Sequence, residues 1–373
     1  MRQLPCGVLM RFLLILFVIT ITGCASNTQT PTQGNARTQD SSLLADFENE
    51  TREEKAKQFE TLANTSRVQG DLNKAIEYLK QSLAIYEELS NMESVAVNLG
   101  NIGYIYQTLG DLDMSADYIE RSLTINKAHG YKRGIATNLV NLGNINRMRG
   151  ALEKAIQYYE QTLTLSKEIG DARLSAVAYG ELGLVYREQG YFDKAITHHQ
   201  QAFRINTSLN LKEAIARDYG NLGLAYHNQG NNSKAIEYFE LSVLINEAIG
   251  YKQGLASDYN SLANVYGSQG DLDKTLEYYK RSLKIFEQIG HKAGTAGQFG
   301  NIATVYQSQG QFNKAIEYHK RSLVINEEIG NNIGTAIQCR AIGNIHRTLG
   351  DMDKAFENYK LSLSISEAAD HKL

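Results

Sequence analysis

The chain has 373 residues, with 38 basic and 41 acidic side chains and a formal net charge of −3. This near balance excludes the strongly basic surface that nucleic-acid-binding proteins carry, so we expect no nucleic-acid partner. The chain has only two prolines but 31 glycines, and the glycines prove to be the clue to its organisation.

Residues 1–23 look like a segment outside the folded part. Arg2 and Arg11 form a weakly basic start, and an apolar run follows from Phe12 to Thr22. This run is shorter than the roughly 20 residues that cross a bilayer. Its end, Ile21-Thr22-Gly23-Cys24, resembles a bacterial lipobox. The resemblance implies a signal peptide over 1–23 and a lipid on Cys24. The alternative is an uncleaved N-terminal anchor.

The same resemblance bears on location. Ala25 and Ser26 follow the cysteine, where an aspartate would favour inner-membrane retention. We therefore expect a lipid-anchored protein on the periplasmic side of the outer membrane, with the inner membrane or the cell surface as alternatives. Residues 24–41 are polar and contain Pro31, which predicts a lipidated flexible tether. As a random coil, its length corresponds to roughly 20–25 Å.

From residue 42 to 373 the chain repeats itself. Glycines recur every 40 residues without a slip, at Gly70, Gly110, Gly150, Gly190, Gly230, Gly270, Gly310 and Gly350. A fixed period of this size predicts a solenoid of stacked units. The eight repeats are placed at about 51–90, 91–130, 131–170, 171–210, 211–250, 251–290, 291–330 and 331–370.

Each repeat shows two helical patterns separated by this glycine. In the seventh repeat, Phe299, Ile302, Ala303 and Tyr306 have the i, i+3, i+4, i+7 spacing of one helix face. The glycine supplies a positive φ that ends the first helix. Aspartate or asparagine follows it in five repeats and predicts an N-cap for the second helix, at Asp71, Asp111, Asn231, Asp271 and Asp351. Second helices end at a glycine, with Asn210 as the one expected exception.

Some columns of the repeat hold only small residues. One column is alanine in all eight repeats, and another is glycine or alanine throughout, including Gly103, Gly143, Gly183 and Gly223. Glycine within a helix costs about 1 kcal/mol against alanine. Its recurrence predicts that two helices approach closely at this column.

These columns resemble the consensus of the tetratricopeptide repeat (TPR). The 40-residue length and the NLGN and KAIEY runs are similar to the long-helix repeats of kinesin light chains and Pins-like G-protein-signalling modulators. The resemblance implies an all-α, right-handed superhelix of helix-turn-helix units. It also implies a non-enzymatic adaptor, in which the first helices line a concave groove that holds an extended peptide.

No catalytic or metal-binding constellation appears in the sequence. The HExxH, GxxxxGK[ST] and GxSxG motifs are absent. His199 and His319 occupy a column otherwise held by aromatic residues, which favours packing. Cys339 replaces large apolar residues and is interpreted as a buried, inert thiol. We therefore expect no catalytic residue, metal, cofactor or small-molecule substrate.

Two asparagine columns are the candidates for binding. One holds Asn101, Asn141, Asn221 and Asn301, and the second holds Asn64, Asn144, Asn264 and Asn344. Asparagine is a poor helix former, but an amide can both donate to and accept from any peptide bond. Under the resemblance, these amides bind the main chain of a peptide. The alternative is a ladder of asparagines that bond within the solenoid.

Basic residues in the groove columns suggest the charge of the ligand. Arginines there include Arg147, Arg187, Arg217 and Arg347, and arginine binds carboxylates in a bidentate manner. This favours an acidic peptide, with scattered solvated charge as the alternative. The functional prediction is an adaptor that binds a partner protein at a membrane surface. A self-associating scaffold that packs through its solenoid ends is the second hypothesis.

Overall fold

A computed structural model describes the backbone of residues 35–370 and the side chains of residues 49–368. The predicted signal peptide, Cys24 and residues 24–34 of the predicted tether lie outside the described residues. Sixteen helices follow one another along the described part, which contains no strand. They are α1 (Asn35–Val68), α2 (Leu72–Glu88), α3 (Met92–Leu109), α4 (Leu112–His129), α5 (Lys132–Met148), α6 (Leu152–Glu168), α7 (Ala172–Glu188), α8 (Phe192–Ser208), α9 (Lys212–Asn228), α10 (Asn232–Ile249), α11 (Lys252–Ser268), α12 (Leu272–Gln288), α13 (Lys292–Ser308), α14 (Phe312–Glu328), α15 (Asn332–Thr348) and α16 (Met352–Asp370).

The sixteen helices form eight helix-turn-helix repeats, as the 40-residue period predicts. Each odd-numbered helix is the first of its repeat and each even-numbered helix is the second. The turn within every repeat is made by a glycine with φ between 72° and 87°, a region where a side chain is strained. The predicted N-caps are also present: the Asp111 side chain accepts from the backbone N–H of Met114 at 3.0 Å.

Two details of the helix ends differ from the predictions. Helix α1 begins at Asn35, so residues 35–41 are helical and not part of a flexible tether. Beyond Gly34 this segment contains Ala36, Arg37 and Gln39, which are good helix formers, and no proline that would stop the helix. The turn after α2 is made by Ser90 at φ 54°, in addition to the predicted exception Asn210 at φ 53°.

The packing of the helices bends the stack toward the first helices. Helix α3 contacts α5, α5 contacts α7, α7 contacts α9 and α9 contacts α11, whereas neighbouring second helices in the described chain have at most marginal contact. The exposed faces of the odd-numbered helices therefore line the inner surface of the solenoid. We call this surface the groove.

The small-residue columns lie where helices approach closely, as predicted. A Cβ atom at Gly183 would lie 2.5 Å from the ring of His199, and one at Gly223 would lie 2.8 Å from the ring of Phe239. Only a residue without a side chain leaves room for these rings. The alanine column is buried in all eight repeats, and Cys339 is a buried free thiol, as predicted.

The last repeat has no following repeat to cover it in the described chain. Its helix α16 exposes Phe356, Leu361 and Leu363 to 69%, 47% and 59%. Counterparts of Phe356 and Leu363 in other repeats, such as Ile76 and Leu83, are buried at 5% and 8%. The C-terminal end of the solenoid therefore presents an apolar face. Within residues 35–370, no helix is both long enough and apolar enough to cross a bilayer.

Candidate functional site

The groove contains recesses between adjacent first helices. One, between α3 and α5, has a volume of about 530 Å³ and is lined by Asn101 and Asn141. Another, between α9 and α11, has a volume of about 300 Å³ and is lined by Asn221. Three of the four asparagines in the first predicted column therefore face space that a ligand could enter.

These three asparagines also have unused hydrogen-bonding capacity. Asn101 is exposed, and Asn141 and Asn221 are half-buried. None of their side chains makes a hydrogen bond with the described residues. Asn301 differs, because its amide donates to the Oδ1 atom of Asn260 at 3.2 Å. The geometry of Asn101, Asn141 and Asn221 is compatible with the binding role predicted for them.

The second asparagine column is engaged within the repeat. The hydroxyl of Tyr159 donates to Oδ1 of Asn144 at 2.6 Å, and that of Tyr279 donates to Oδ1 of Asn264 at 2.5 Å. Asn344 and Tyr359 form the same pair at 2.8 Å. The carbonyl oxygens of Asn144 and Asn264 therefore each accept a structural bond, which favours the alternative interpretation for this column, a ladder of asparagines bonded within the solenoid. The sequence carries a signal for it, since these three repeats also have tyrosine 15 residues after the asparagine.

The predicted arginines divide into paired and unpaired side chains. Arg147 donates from Nη1 to Glu188 at 2.7 Å, and its Nε lies 3.9 Å from Glu181. These two carboxylates come from the next repeat, so Arg147 ties two repeats together. Its charge is largely compensated before any ligand arrives, which weakens its predicted role in binding an acidic segment.

Arg187, Arg217 and Arg347 form no ion pair with the described residues. Arg187 is half-buried, and burial lowers the pKa of its guanidinium. Nearby Glu188 opposes this pKa shift and Arg147 adds to it. A half-buried guanidinium without a paired carboxylate favours an anionic ligand group. Arg217 and Arg347 are exposed, so solvent screens them more strongly.

A buried polar ladder behind the groove was not predicted. The hydroxyls of Ser122, Ser242, Ser282 and Ser322, on second helices, donate to the backbone carbonyls of Ala96, Ala216, Ala256 and Ala296 at 2.6–2.9 Å. Some also bond the next first helix: the amide of Asn138 donates to Oγ of Ser122 at 2.9 Å. The ladder explains both the serine column and the adjoining alanine column. A serine in this column of six of the eight repeats, within an apolar helix face, was the available signal.

The histidines lie in packing positions. His199 is fully buried, and burial, Arg187 and His198 lower its pKa to about 3. His319 is also buried and bonds Oε1 of Gln338 through Nδ1 at 2.7 Å. In the described part of the chain, no three histidine, cysteine, aspartate or glutamate side chains are grouped as a metal site would require.

Comparisons with known families agree with this architecture. A model of the MalT-like TPR region matches residues 59–240, and a tetratricopeptide repeat model matches residues 213–288 and 292–368. The chain is a tetratricopeptide repeat protein. No curated protein matches this TPR protein significantly.

Several solved structures share the fold at low identity. The apo form of RapI is 17% identical with a TM-score of 0.58, covering 74% of this chain and 99% of RapI. A Rap protein complexed with Competence and Sporulation Factor is 15% identical with a TM-score of 0.55, and the match covers 87% of this chain and 100% of the Rap protein. BtubC (BKLC) from P. vanneervenii is 20% identical with a TM-score of 0.54, and the match covers 59% of this chain and 92% of BtubC. At these identities the likeness shows the fold alone.

Proposed function

We propose that this TPR protein is a non-enzymatic adaptor that holds an extended segment of a partner protein in its groove. The observation that carries the proposal is the set of unbonded amides of Asn101, Asn141 and Asn221, which line recesses of the groove. A partner's peptide groups would supply the donors and acceptors that these amides lack. The Rap protein of similar fold, solved complexed with Competence and Sporulation Factor, supports a binding role for this fold.

The charges in the groove point to acidic groups on the partner segment. Arg187 is half-buried and has no carboxylate paired with it among the described residues, so binding an aspartate or glutamate side chain would compensate its charge. Because Arg147 is already paired with Glu188, the acidic residue of the segment should lie opposite Arg187. A charge at this point would add selectivity to the sequence-independent contacts of the asparagines.

The test is a selection from a phage-displayed library of random 12-residue peptides on the immobilised protein. Groove binding predicts that the selected peptides compete with one another for one site and share an acidic position. It also predicts that Arg187→Glu removes the preference for that acidic residue. Peptides that bind the Arg187→Glu protein with an unchanged acidic preference would argue against this contact.

We further propose that a lipid on Cys24 holds the adaptor at a membrane, on the periplasmic side of the bacterial outer membrane. The motif Ile21-Thr22-Gly23-Cys24 motivates this proposal.

We expect Cys24→Ser to abolish lipid attachment and leave the signal segment uncleaved. Metabolic labelling with a radioactive fatty acid measures the first effect, and the mass of the protein measures the second. Secretion from a cleavable signal with the chain starting at Ala25 is the control and should give soluble protein. Continued membrane association of that form would contradict a lipid anchor.

A self-associating scaffold is the second candidate, and the apolar face of α16 is the observation that favours it. Phe356 and Leu363 would be covered if two copies met at this end, as their counterparts are covered by the next repeat. Light scattering over a dilution series should then show that the mean molecular mass decreases as the protein is diluted. Phe356→Glu should give the monomer mass at every concentration, while a monomeric native protein would rule the scaffold out.

A further inference from the structure

Asp258 is a buried carboxylate at the floor of the recess between α9 and α11. Its side chain is 6% exposed, and its Oδ2 atom accepts from Oγ of Ser242 at 2.8 Å and from Nδ2 of Asn246 at 2.7 Å. The second oxygen, Oδ1, accepts no hydrogen bond from the described residues. One side of this carboxylate is therefore fixed by the polar ladder, and the other side is free.

A glycine on the neighbouring helix opens this free oxygen to the groove. Gly220 on α9 faces it, and a Cβ atom at that position would lie 3.6 Å from Oδ1 of Asp258. Both residues line the recess of about 300 Å³, together with Glu213, Asn221 and Ser261. A side chain entering from the groove can thus reach the Asp258 oxygen through the gap that Gly220 leaves.

The equivalent recess between α3 and α5 shows that the fold does not need a carboxylate here. Asn138 occupies the position of Asp258, and a Cβ at Gly100 would lie 3.7 Å from its Oδ1 atom. The amide of Asn138 still bonds Oγ of Ser122 at 2.9 Å. A neutral amide therefore satisfies the same ladder. Asp258 carries a charge that the architecture alone does not require.

That charge has a cost in stability near neutral pH. Burial raises the pKa of Asp258 to about 6, while the hydrogen bonds from Ser242 and Asn246 act in the opposite direction. Because this folded-state pKa is above the ordinary value of 3.8, folding favours the protonated acid, and stability falls as the pH rises through this range. The Asp258 carboxylate lowers the stability of the fold at a position where the amide of an asparagine can make the same structural hydrogen bonds. Such a residue is a candidate for a functional role.

The surroundings of Asp258 leave its charge uncompensated. On α10 it meets the neutral side chains of Ser242 and Asn246, and Tyr251, the N-cap residue just before α11, lines the same recess. On α9, Glu213 adds a second acidic group, and Arg217 is exposed at the recess without forming an ion pair within the described chain. Burial raises the pKa of the neighbouring Asp218, and Asn206 and the positive charge of Arg217 oppose this shift. Only the neutral Ser242 and Asn246 oppose the raised pKa of Asp258, so no positive charge compensates it.

We propose that this recess binds one cationic side chain of the partner segment, a lysine ammonium or an arginine guanidinium, which donates a hydrogen bond to Oδ1 of Asp258. The inference rests on the proposed peptide-binding function and specifies one contact of it. Arg187, which lies on α7 two repeats before Asp258, favours an acidic residue on the same segment. Opposite charges at two places along the groove would fix the direction in which the segment lies.

The experiment is the same 12-residue library, selected in parallel on the native protein and on two pairs of variants. Asp258→Asn removes the charge and reproduces the side chain found at Asn138, and Asp218→Asn is its control. Asp218 is equally buried, at 2%, with a pKa also raised to about 6, but it bonds Asn206 and does not line this recess. Gly220→Ala narrows the opening, and Gly180→Ala on α7 is its control, since a Cβ there meets nothing within 4 Å.

We expect the native protein and both controls to select lysine or arginine at one fixed position, and Asp258→Asn and Gly220→Ala to lose that preference. For a selected peptide, Asp258→Asn should weaken the measured Kd about tenfold or more, as expected for a hydrogen bond to a charged group. Lowering the pH from about 7.5 to about 5 should weaken binding to the native protein, because protonation neutralises Asp258. Binding to Asp258→Asn should change less.

Folding is checked separately. Both Asp258→Asn and Gly220→Ala should melt at or above the temperature of the native protein near neutral pH, because one removes a buried charge and the other a helix glycine. Binders that lack a cationic preference, or keep it in Asp258→Asn, would overturn this inference and leave the proposed groove function intact. A library that yields no binder to any form would overturn both.

Discussion

Replacing Tyr159 with alanine is expected to lower the free energy of unfolding by about 3–5 kcal/mol, the range for removing a large buried aromatic side chain. Tyr159 is fully buried, and its ring packs against Gly143 in a core that includes Val140, Leu182 and Val185. Its hydroxyl bonds Asn144. The substitution leaves both a cavity and an unpaired amide oxygen. Chemical denaturation of the two proteins measures the difference.

The location of the increased hydrogen exchange along the chain is a second readout of the Tyr159→Ala substitution. A solenoid repeat is stabilised mainly by its neighbours, so hydrogen exchange should rise most in α5–α8 and fade toward both ends. Tyr159→Phe is the matched control and should cost only about 0.5–1.5 kcal/mol, the net value of one hydrogen bond. Equal loss of protection in all eight repeats would contradict the nearest-neighbour account, because it would mean that the array unfolds as one unit.

A tyrosine of another column should matter less. Tyr159 lies in the aromatic column of His199, and Tyr266 lies in the column of Tyr306, and the sequence pattern predicts packing for both columns. Tyr266 is half-buried: its ring stacks on that of Tyr278 with the centroids 5.4 Å apart, and Nζ of Lys274 lies 4.6 Å from its ring centroid. Its removal exposes part of a surface and leaves no closed cavity. Periodicity assigned both tyrosines to apolar columns, but it could not rank their burial, since burial depends on which helix covers each column.

The architecture was accessible from the sequence because it depends on local chemistry. The glycine at the turn, the N-cap at Asp111 and the close approach at Gly183 each reflect a rule that acts within one repeat. The 40-residue period then repeats these signals, the turn glycine in all eight repeats and the Asp or Asn N-cap in five. The turn at Ser90 is not predicted because serine occupies this position in only one repeat. The helix over 35–41 is not predicted because a polar segment is typical of an unstructured tether.

The detailed site was less accessible because it depends on contacts between repeats. Arg147 and Glu188 are 41 residues apart and pair only when two first helices lie side by side. Asp258 bonds Ser242 across 16 residues. Column alignment treats each position separately, so it groups Asn141 with Asn301 and cannot show that only Asn301 is already bonded, to Asn260. Three-dimensional packing was needed to separate free groove amides from structural ones.

This separation leads to the second large effect, on binding. We expect the combined change Asn141→Ala with Asn221→Ala to weaken the affinity for a selected peptide by about one decade or more. Each lost hydrogen bond contributes about 0.5–1.5 kcal/mol, and more where a buried group on the peptide is left unpaired. Neither amide bonds the described residues, and alanine is a better helix former by about 0.5–0.7 kcal/mol. The melting temperature should therefore hold or rise slightly.

Asn264→Ala is the matched structural control. Its side chain accepts from the hydroxyl of Tyr279, a residue that is 8% exposed, so alanine removes the partner of this hydroxyl at a cost of about 0.5–1.5 kcal/mol. This variant should melt earlier but bind the peptide with nearly native affinity. Isothermal titration and thermal melting on the same preparations give both quantities for each protein. If the double variant of Asn141 and Asn221 instead melted early and kept its affinity, these asparagines would belong to the internal ladder, and the peptide would have to be held elsewhere.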